Sequence, residues 1–166
     1  MAMLMDELCS KTALMRASEE GCYLQVAQCL QEGADYNIKD ENGMTALMYA
    51  ASYGHVSCLE LLIEAGAELD ARTHYSDTAL LWAVWHGHHA CVQALLRAGA
   101  DPECRDDEGK TPLIRAAAEG HQGIVSQLLA AGVDPHARDN DHYTAKMWAQ
   151  SVGYDGCALK DVSSLV

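Results

Sequence analysis

The chain has 166 residues and carries a formal net charge of −13, from 24 acidic against 11 basic side chains. That length suits one ordinary domain with a buried core. So acidic a surface repels phosphate backbones and anionic headgroups, which makes nucleic acid and membrane poor partners and basic protein faces better ones.

In chain order, the first residues, MAMLMDELCSK, lack the basic start and long apolar run of a signal peptide. No stretch approaches the ~18 apolar residues that would span a bilayer, so cytoplasm or nucleus is the expected location. Ala2 to Cys9 has the character of a short helix. From Thr12 onward the sequence repeats every 33 residues without a gap, in Thr12, Thr45, Thr78, Thr111 and Thr144 and in Gly21, Gly54, Gly87, Gly120 and Gly153. Asp40 to Arg72 shows the unit most clearly. Thr45 predicts a helix N-cap, and in the next copy but one Thr111-Pro112 strengthens it, because proline suits the first helical position. A short helix over Ala46–Ser52 ends at Gly54. A second runs from Val56 to Glu64, with Leu59, Leu62 and Ile63 at i, i+3, i+4 as its buried face; Val92, Leu95, Leu96 and Val125, Leu128, Leu129 repeat that pattern. Gly66 closes it, and a polar stretch leads to turns at Asn42-Gly43 and Glu108-Gly109. Helices below ~12–15 residues are marginal alone in water, so such units must stack.

With Thr45-Ala46-Leu47, Gly54-His55 and Gly66-Ala67-Glu68, matched by Thr111-Pro112-Leu113, Gly120-His121 and Gly132-Val133-Asp134, the sequence resembles the ankyrin repeat. The resemblance covers Ser10 to Val166. It implies an all-α solenoid of stacked helix pairs with projecting β-hairpin-like fingers. The expected organisation is a single domain, 1–166, of repeats at about 7–39, 40–72, 73–105, 106–138 and 139–166. The first and last are expected to act as caps, since Lys146 and Asp161 stand where other copies have leucine.

Chemistry is sparse. There is no phosphate-cradling glycine loop, nucleophile elbow or HExxH helix, and the expectation is a non-enzyme without cofactor or metal. His86-Gly87-His88-His89, with His55 and His121 in register with His88, could offer zinc ligands only if three converged. The resemblance implies instead that the histidine after the glycine bonds to backbone across the turn. The seven cysteines form no CxxC pair, and Cys58 and Cys91 would sit on neighbouring helices ~8–10 Å apart, too far to bridge. Free thiols are expected. Lys39, Arg72, Arg105 and Arg138 precede Asp40, Thr73, Asp106 and Asp139 one period apart; the acids should bond turn backbone and the bases stay solvated or loosely paired. Arg16 and Arg115 share a position expected to be solvated. Asn37 resembles asparagines hydroxylated in ankyrin proteins, but local turn hydrogen bonds are the better account.

Partner-binding candidates come from the resemblance, which implies contact through finger tips and the exposed inner side of the first helix. They are Met44 and Tyr53; His74, Tyr75, Trp85 and His86; Asp107, Glu108, Lys110 and Glu119; and Tyr143, with Asn42, Ser52 and Asp77 at similar positions. Tyrosine and tryptophan are common interface hot spots, whereas Trp82 and Trp148 occupy a more inward position suited to the core. The histidines add a pH dependence near the imidazole reference pKa of about 6.5. The expected function is a protein–protein interaction module, monomeric by itself, acting as adaptor, inhibitor or complex subunit. Its concave groove would have an aromatic centre at Tyr53, Tyr75 and Trp85 and an acidic flank at Asp107, Glu108 and Glu119. The partner would bring a segment with apolar anchors and basic neighbours. A histidine-based metal or catalytic protein, and a structural subunit bound through caps or convex face, are the alternatives.

Overall fold

The computed structural model describes residues 11–154. The helix expected over Ala2–Cys9, the polar replacement at Asp161, and Cys9 and Cys157 lie outside them. Among the described residues there are nine helices: α1 (Ala13–Glu20), α2 (Tyr23–Gln31), α3 (Ala46–Tyr53), α4 (Val56–Glu64), α5 (Ala79–Trp85), α6 (His89–Ala98), α7 (Pro112–Ala118), α8 (Gln122–Ala130) and α9 (Ala145–Ser151). The odd-numbered helices α1 to α9 pack side by side as one row, and α2, α4, α6 and α8 form a second row behind them. The fold is an all-helical repeat solenoid.

Why the chain starts each odd helix where it does is visible at the caps. Thr12, Thr45, Thr78, Thr111 and Thr144 each accept the backbone N–H three residues on, at 3.2–3.4 Å. One otherwise orphaned donor is thereby satisfied at every start. Alanine at the row's inner positions, such as Ala50, Ala83 and Ala116, is wholly buried, so neighbouring helices approach closely. In the second row Leu59 and Leu62, Val92 and Leu95, and Val125 and Leu128 are likewise fully buried. Ile63, Leu96 and Leu129 pack against that core only in part, so the i+4 residue borders the apolar stripe. Lys146, aligned with the buried Leu113, is exposed.

Gly54 illustrates the link between helices. Its φ is +75°, a left-handed conformation, and a Cβ there would lie 2.6 Å from Nδ1 of His88. The imidazole in turn donates from Nε2 to the Ser52 carbonyl at 3.0 Å. His55 and His121 reach Glu19 and Trp85 carbonyls likewise, at 3.0 and 3.1 Å. These histidines thus tie each helix pair to the one before it.

Between the helix pairs run short turns rather than extended strands; the described residues show only an isolated antiparallel bridge, Arg138 to Thr144. Each turn is closed by backbone bonds of one pattern, as in Asp40 N–H to Met44 C=O (3.0 Å) and Asp106 N–H to Lys110 C=O (3.2 Å). The basic series is exposed, as expected, but it is also bonded to backbone. Lys39, Arg72 and Arg105 donate to the carbonyls of Arg72, Arg105 and Arg138 at 3.0, 2.7 and 2.6 Å, stitching adjacent turns together. Asn37 does a related job: its side-chain oxygen accepts the Glu68 N–H at 3.0 Å from 31 residues away, while its backbone N–H makes the local turn bond, to Asp35 Oδ1 at 2.9 Å.

Candidate functional site

Inner helices and turns enclose a cavity of about 610 Å³ over α3, α5 and α7, within the ~300–1,000 Å³ usual for ligand pockets. Tyr49, Ser52 and Tyr53 of α3, Trp82, Trp85 and His86 at α5, and Arg115 of α7 line it on the helical side. Asn42 and Met44, then Thr73, Tyr75 and Asp77, then Asp106, Asp107 and Glu108 line it from three successive turns.

Seven of the expected partner-binding residues meet here: Met44, Tyr53, Tyr75, Trp85, His86, Asp107 and Glu108. They do not play equal parts. Tyr53, Tyr75 and Trp85 are 52, 67 and 40 % exposed, large rings open to solvent, whereas Met44 is buried and belongs to the floor. The other four lie outside the cavity wall. His74 is exposed and donates its backbone N–H to the Asn42 carbonyl at 3.1 Å. Lys110 pairs with Glu108 and places its ammonium 4.5 Å above the Trp148 ring. Tyr143 packs on that same indole at 5.7 Å. Glu119 is exposed at the end of α7.

The turns are built on one device, visible in three of four. Oδ1 of Asp40 accepts the N–H groups of Asn42 and Met44 at 2.9 and 2.8 Å, and Oδ2 accepts the Tyr49 hydroxyl at 2.7 Å. The phenol, buried and bonded to that carboxylate, is pushed up to a pKa of about 12. Asp106 holds Glu108 and Lys110 N–H groups and the Arg115 guanidinium in the same way. Asp139 holds Asp141 and Tyr143 N–H groups, and its Oδ2 accepts the indole N–H of Trp148 at 2.6 Å. Arg115 is therefore not the solvated cation expected of its position.

The turn at residues 73–77 departs from this pattern. Thr73 stands where the others have aspartate, and its hydroxyl accepts Tyr75 and Asp77 N–H groups at 3.2 and 3.1 Å. A threonine has no second oxygen for the residue nine positions on. Trp82, equivalent to Tyr49, Arg115 and Trp148, accordingly has a buried Nε1–H with no acceptor. Where the equivalent positions carry Met44, Lys110 and Tyr143, this turn carries Asp77. Burial, outweighing the pull of Arg115 and helped by Asp106, Asp107 and Glu108, pushes its carboxyl up to about 6. Ser76 replaces the turn glycine and still adopts φ of +62°.

Rings fill the space above. Trp82 and Trp85 stack with centroids 5.3 Å apart, His86 lies 5.8 Å from Trp82, and the Arg115 guanidinium sits 4.8 Å from the Trp85 ring centre. Tyr53 donates its hydroxyl to Glu19 at 3.2 Å. Sequence reasoning missed Tyr49, Thr73, Trp82, Asp106 and Arg115 as cavity residues. The signal was available: aligning positions 40, 73, 106 and 139 beside 49, 82, 115 and 148 shows the broken aspartate–donor pair.

The histidines do not assemble a metal site. Nδ1 of His86 bonds the Trp82 carbonyl, Nε2 of His88 the Ser52 carbonyl and Nδ1 of His89 the Gly87 carbonyl, at 3.0–3.1 Å. Among the described residues no three metal-type ligands come together, and no helix is long and apolar enough to cross a membrane. Cys22, Cys29, Cys58, Cys91 and Cys104 are free thiols.

A row of short capped helices backed by a second row, joined by aspartate-held turns, defines a helical repeat protein. The family model described as ankyrin repeats (3 copies) matches residues 14–106 and again 91–159, and the chain belongs to the ankyrin-repeat family. Ankyrin repeats are generally protein–protein interaction modules, typically non-enzymatic. A search of curated proteins finds no match to this chain.

Proposed function

We propose that this chain binds a segment of a partner protein in the cavity over α3, α5 and α7, as an adaptor, inhibitor or complex subunit. The observation that carries the reading is the convergence of three solvent-exposed rings, Tyr53, Tyr75 and Trp85, on one 610 Å³ cavity. Exposed tryptophan and tyrosine gathered around a concavity are the usual anchors of interface energy. Asp107 and Glu108 add an acidic wall, which favours a partner with basic residues beside its anchors.

Selection of a random peptide library on the immobilised chain tests this, with each selected peptide assayed by fluorescence anisotropy on wild type and on a Trp85→Ala, Tyr53→Ala double variant. Selected peptides should lose at least ~10-fold in affinity on the double variant, as removal of two hot-spot rings predicts. Peptides bound equally by both proteins would place the interaction elsewhere.

A further inference from the structure

Within the cavity proposed above as the partner site, we infer that Asp77 is a recognition carboxylate for the guanidinium of a partner arginine. This rests on the preceding reading of the cavity and adds the chemical class of the group that enters it.

Asp77 is 7 % exposed and lines the cavity. Its backbone N–H is spent on Thr73, but its carboxylate accepts no hydrogen bond among the described residues. Its nearest cation is Arg115, with Nη2 at 4.0 Å. That guanidinium is already committed to Asp106. A buried carboxylate without a direct donor is costly, and here it faces an open cavity instead of packed protein.

The chemistry of the surroundings selects among ligand classes. Four carboxylates line the cavity, those of Asp77, Asp106, Asp107 and Glu108, against the one guanidinium of Arg115. An anionic group is therefore repelled. A purely apolar anchor would strip the remaining water from Asp77 and give it nothing in return, so it too is disfavoured. A cation both pairs Asp77 and meets aromatic faces that attract positive charge. Between the two basic side chains the shape favours arginine: guanidinium is planar, weakly hydrated, presents paired N–H donors to a carboxylate and stacks on flat rings. The molecule supplies its own example in Arg115, which bonds a turn aspartate while its guanidinium lies 4.8 Å from the Trp85 ring centre.

The test uses the full chain labelled with ¹⁵N and the tripeptides acetyl-Ala-Arg-Ala-amide, acetyl-Ala-Lys-Ala-amide and acetyl-Ala-Leu-Ala-amide as probes. The three indole N–H signals come from Trp82, Trp85 and Trp148. The arginine peptide should shift those of Trp82 and Trp85 saturably and leave that of Trp148 in place. The lysine peptide should bind several-fold more weakly, and the leucine peptide should give no saturable shift. Asp77→Asn should weaken the arginine peptide about ten-fold through loss of a charge-assisted pair, while Asp77→Glu, which keeps the carboxylate, should recover part of that loss. Arginine binding that matches leucine binding, or that is unchanged in Asp77→Asn, overturns the assignment. If it falls while selected peptides still depend on Trp85 and Tyr53, the cavity remains the partner site and only the arginine subsite is wrong. If the selected peptides are also indifferent to those rings, both readings fall together.

Discussion

Replacing Thr73 by aspartate should make the protein more stable by about 1 kcal/mol at neutral pH. The buried indole N–H of Trp82 has no acceptor, and an unsatisfied buried donor costs ~1–3 kcal/mol. The turn ending at Tyr143 shows the repair in place, since Oδ2 of Asp139 takes the Trp148 N–H at 2.6 Å while Oδ1 holds the turn backbone. The substituted carboxylate would keep both backbone bonds that the Thr73 hydroxyl now makes and add the missing one. Against this stands a new negative charge beside Asp77, whose carboxyl already resists ionisation; that repulsion offsets part of the gain. Thr73→Asn separates the two effects, because its amide oxygen offers an acceptor without charge. Chemical denaturation followed by circular dichroism reads the stability, and the Trp82 indole proton signal reads the bond. If both variants leave the denaturation midpoint unchanged or lower it while the indole signal stays in place, the orphaned donor is not the cost assigned to it.

Asp77→Asn should also stabilise the protein, and only in a defined pH range. The folded-state pKa of about 6 lies above the ~3.9 of an unfolded aspartate, so the folded state holds its proton more tightly. Ionisation therefore costs stability progressively from about pH 4 to pH 6, and fully above that. The variant should gain ~1–3 kcal/mol at pH 8 and nothing near pH 3.5; a gain independent of pH would refute the cause. Gly54→Ala should cost ~2–3 kcal/mol, combining left-handed backbone strain with displacement of the His88 ring. Gly99→Ala, at φ of +95° with nothing within 4 Å, should cost only ~1–2 kcal/mol; equal losses in thermal denaturation would sink the steric account. Burial pushes the Cys91 and Cys104 thiols up to about 11 and about 12. Both should therefore resist iodoacetamide in the native protein at pH 8 and react on unfolding, as peptide mapping by mass spectrometry would show.

The framework was legible in the sequence because each of its residues answers a local demand. A threonine in register at five sites caps five helices; α4 runs from Val56 to Glu64 as its apolar spacing predicted. Side chains that bond across a whole period were harder to place. Arg72 and Asn37 looked solvated or locally bonded, because no short-range pattern announces an acceptor 33 residues away or a donor 31 residues away. The ring cluster was foreseen from exposure-prone positions carrying Tyr53, Tyr75 and Trp85. Its floor was not: Met44 looked like a finger-tip contact until the turn folded it inward. Arg115 looked solvated because its acceptor, Asp106, lies nine residues upstream in the turn.

The turn at residues 73–77 brings these strands of argument to one place. Thr73 and Asp77 depart from what the equivalent turns do, and Ser76, like His142, is a non-glycine residue at positive φ, +62° and +66°. Each of the three costs stability, through a lost acceptor, a buried carboxylate and a strained backbone position. Three costs in five residues are hard to reconcile with a turn kept only for the fold, since aspartate, glycine and methionine at those positions already serve the turn at Asp40–Met44. Local rules broken without internal compensation are characteristic of recognition sites, where stability is given up for a group held ready for a ligand. Exchanging Thr73, Ser76 and Asp77 together for Asp, Gly and Met should therefore raise the denaturation midpoint above that of any single change. The same variant should lose the affinity for the arginine tripeptide, whereas a turn that is merely imperfect would gain the stability and keep the binding.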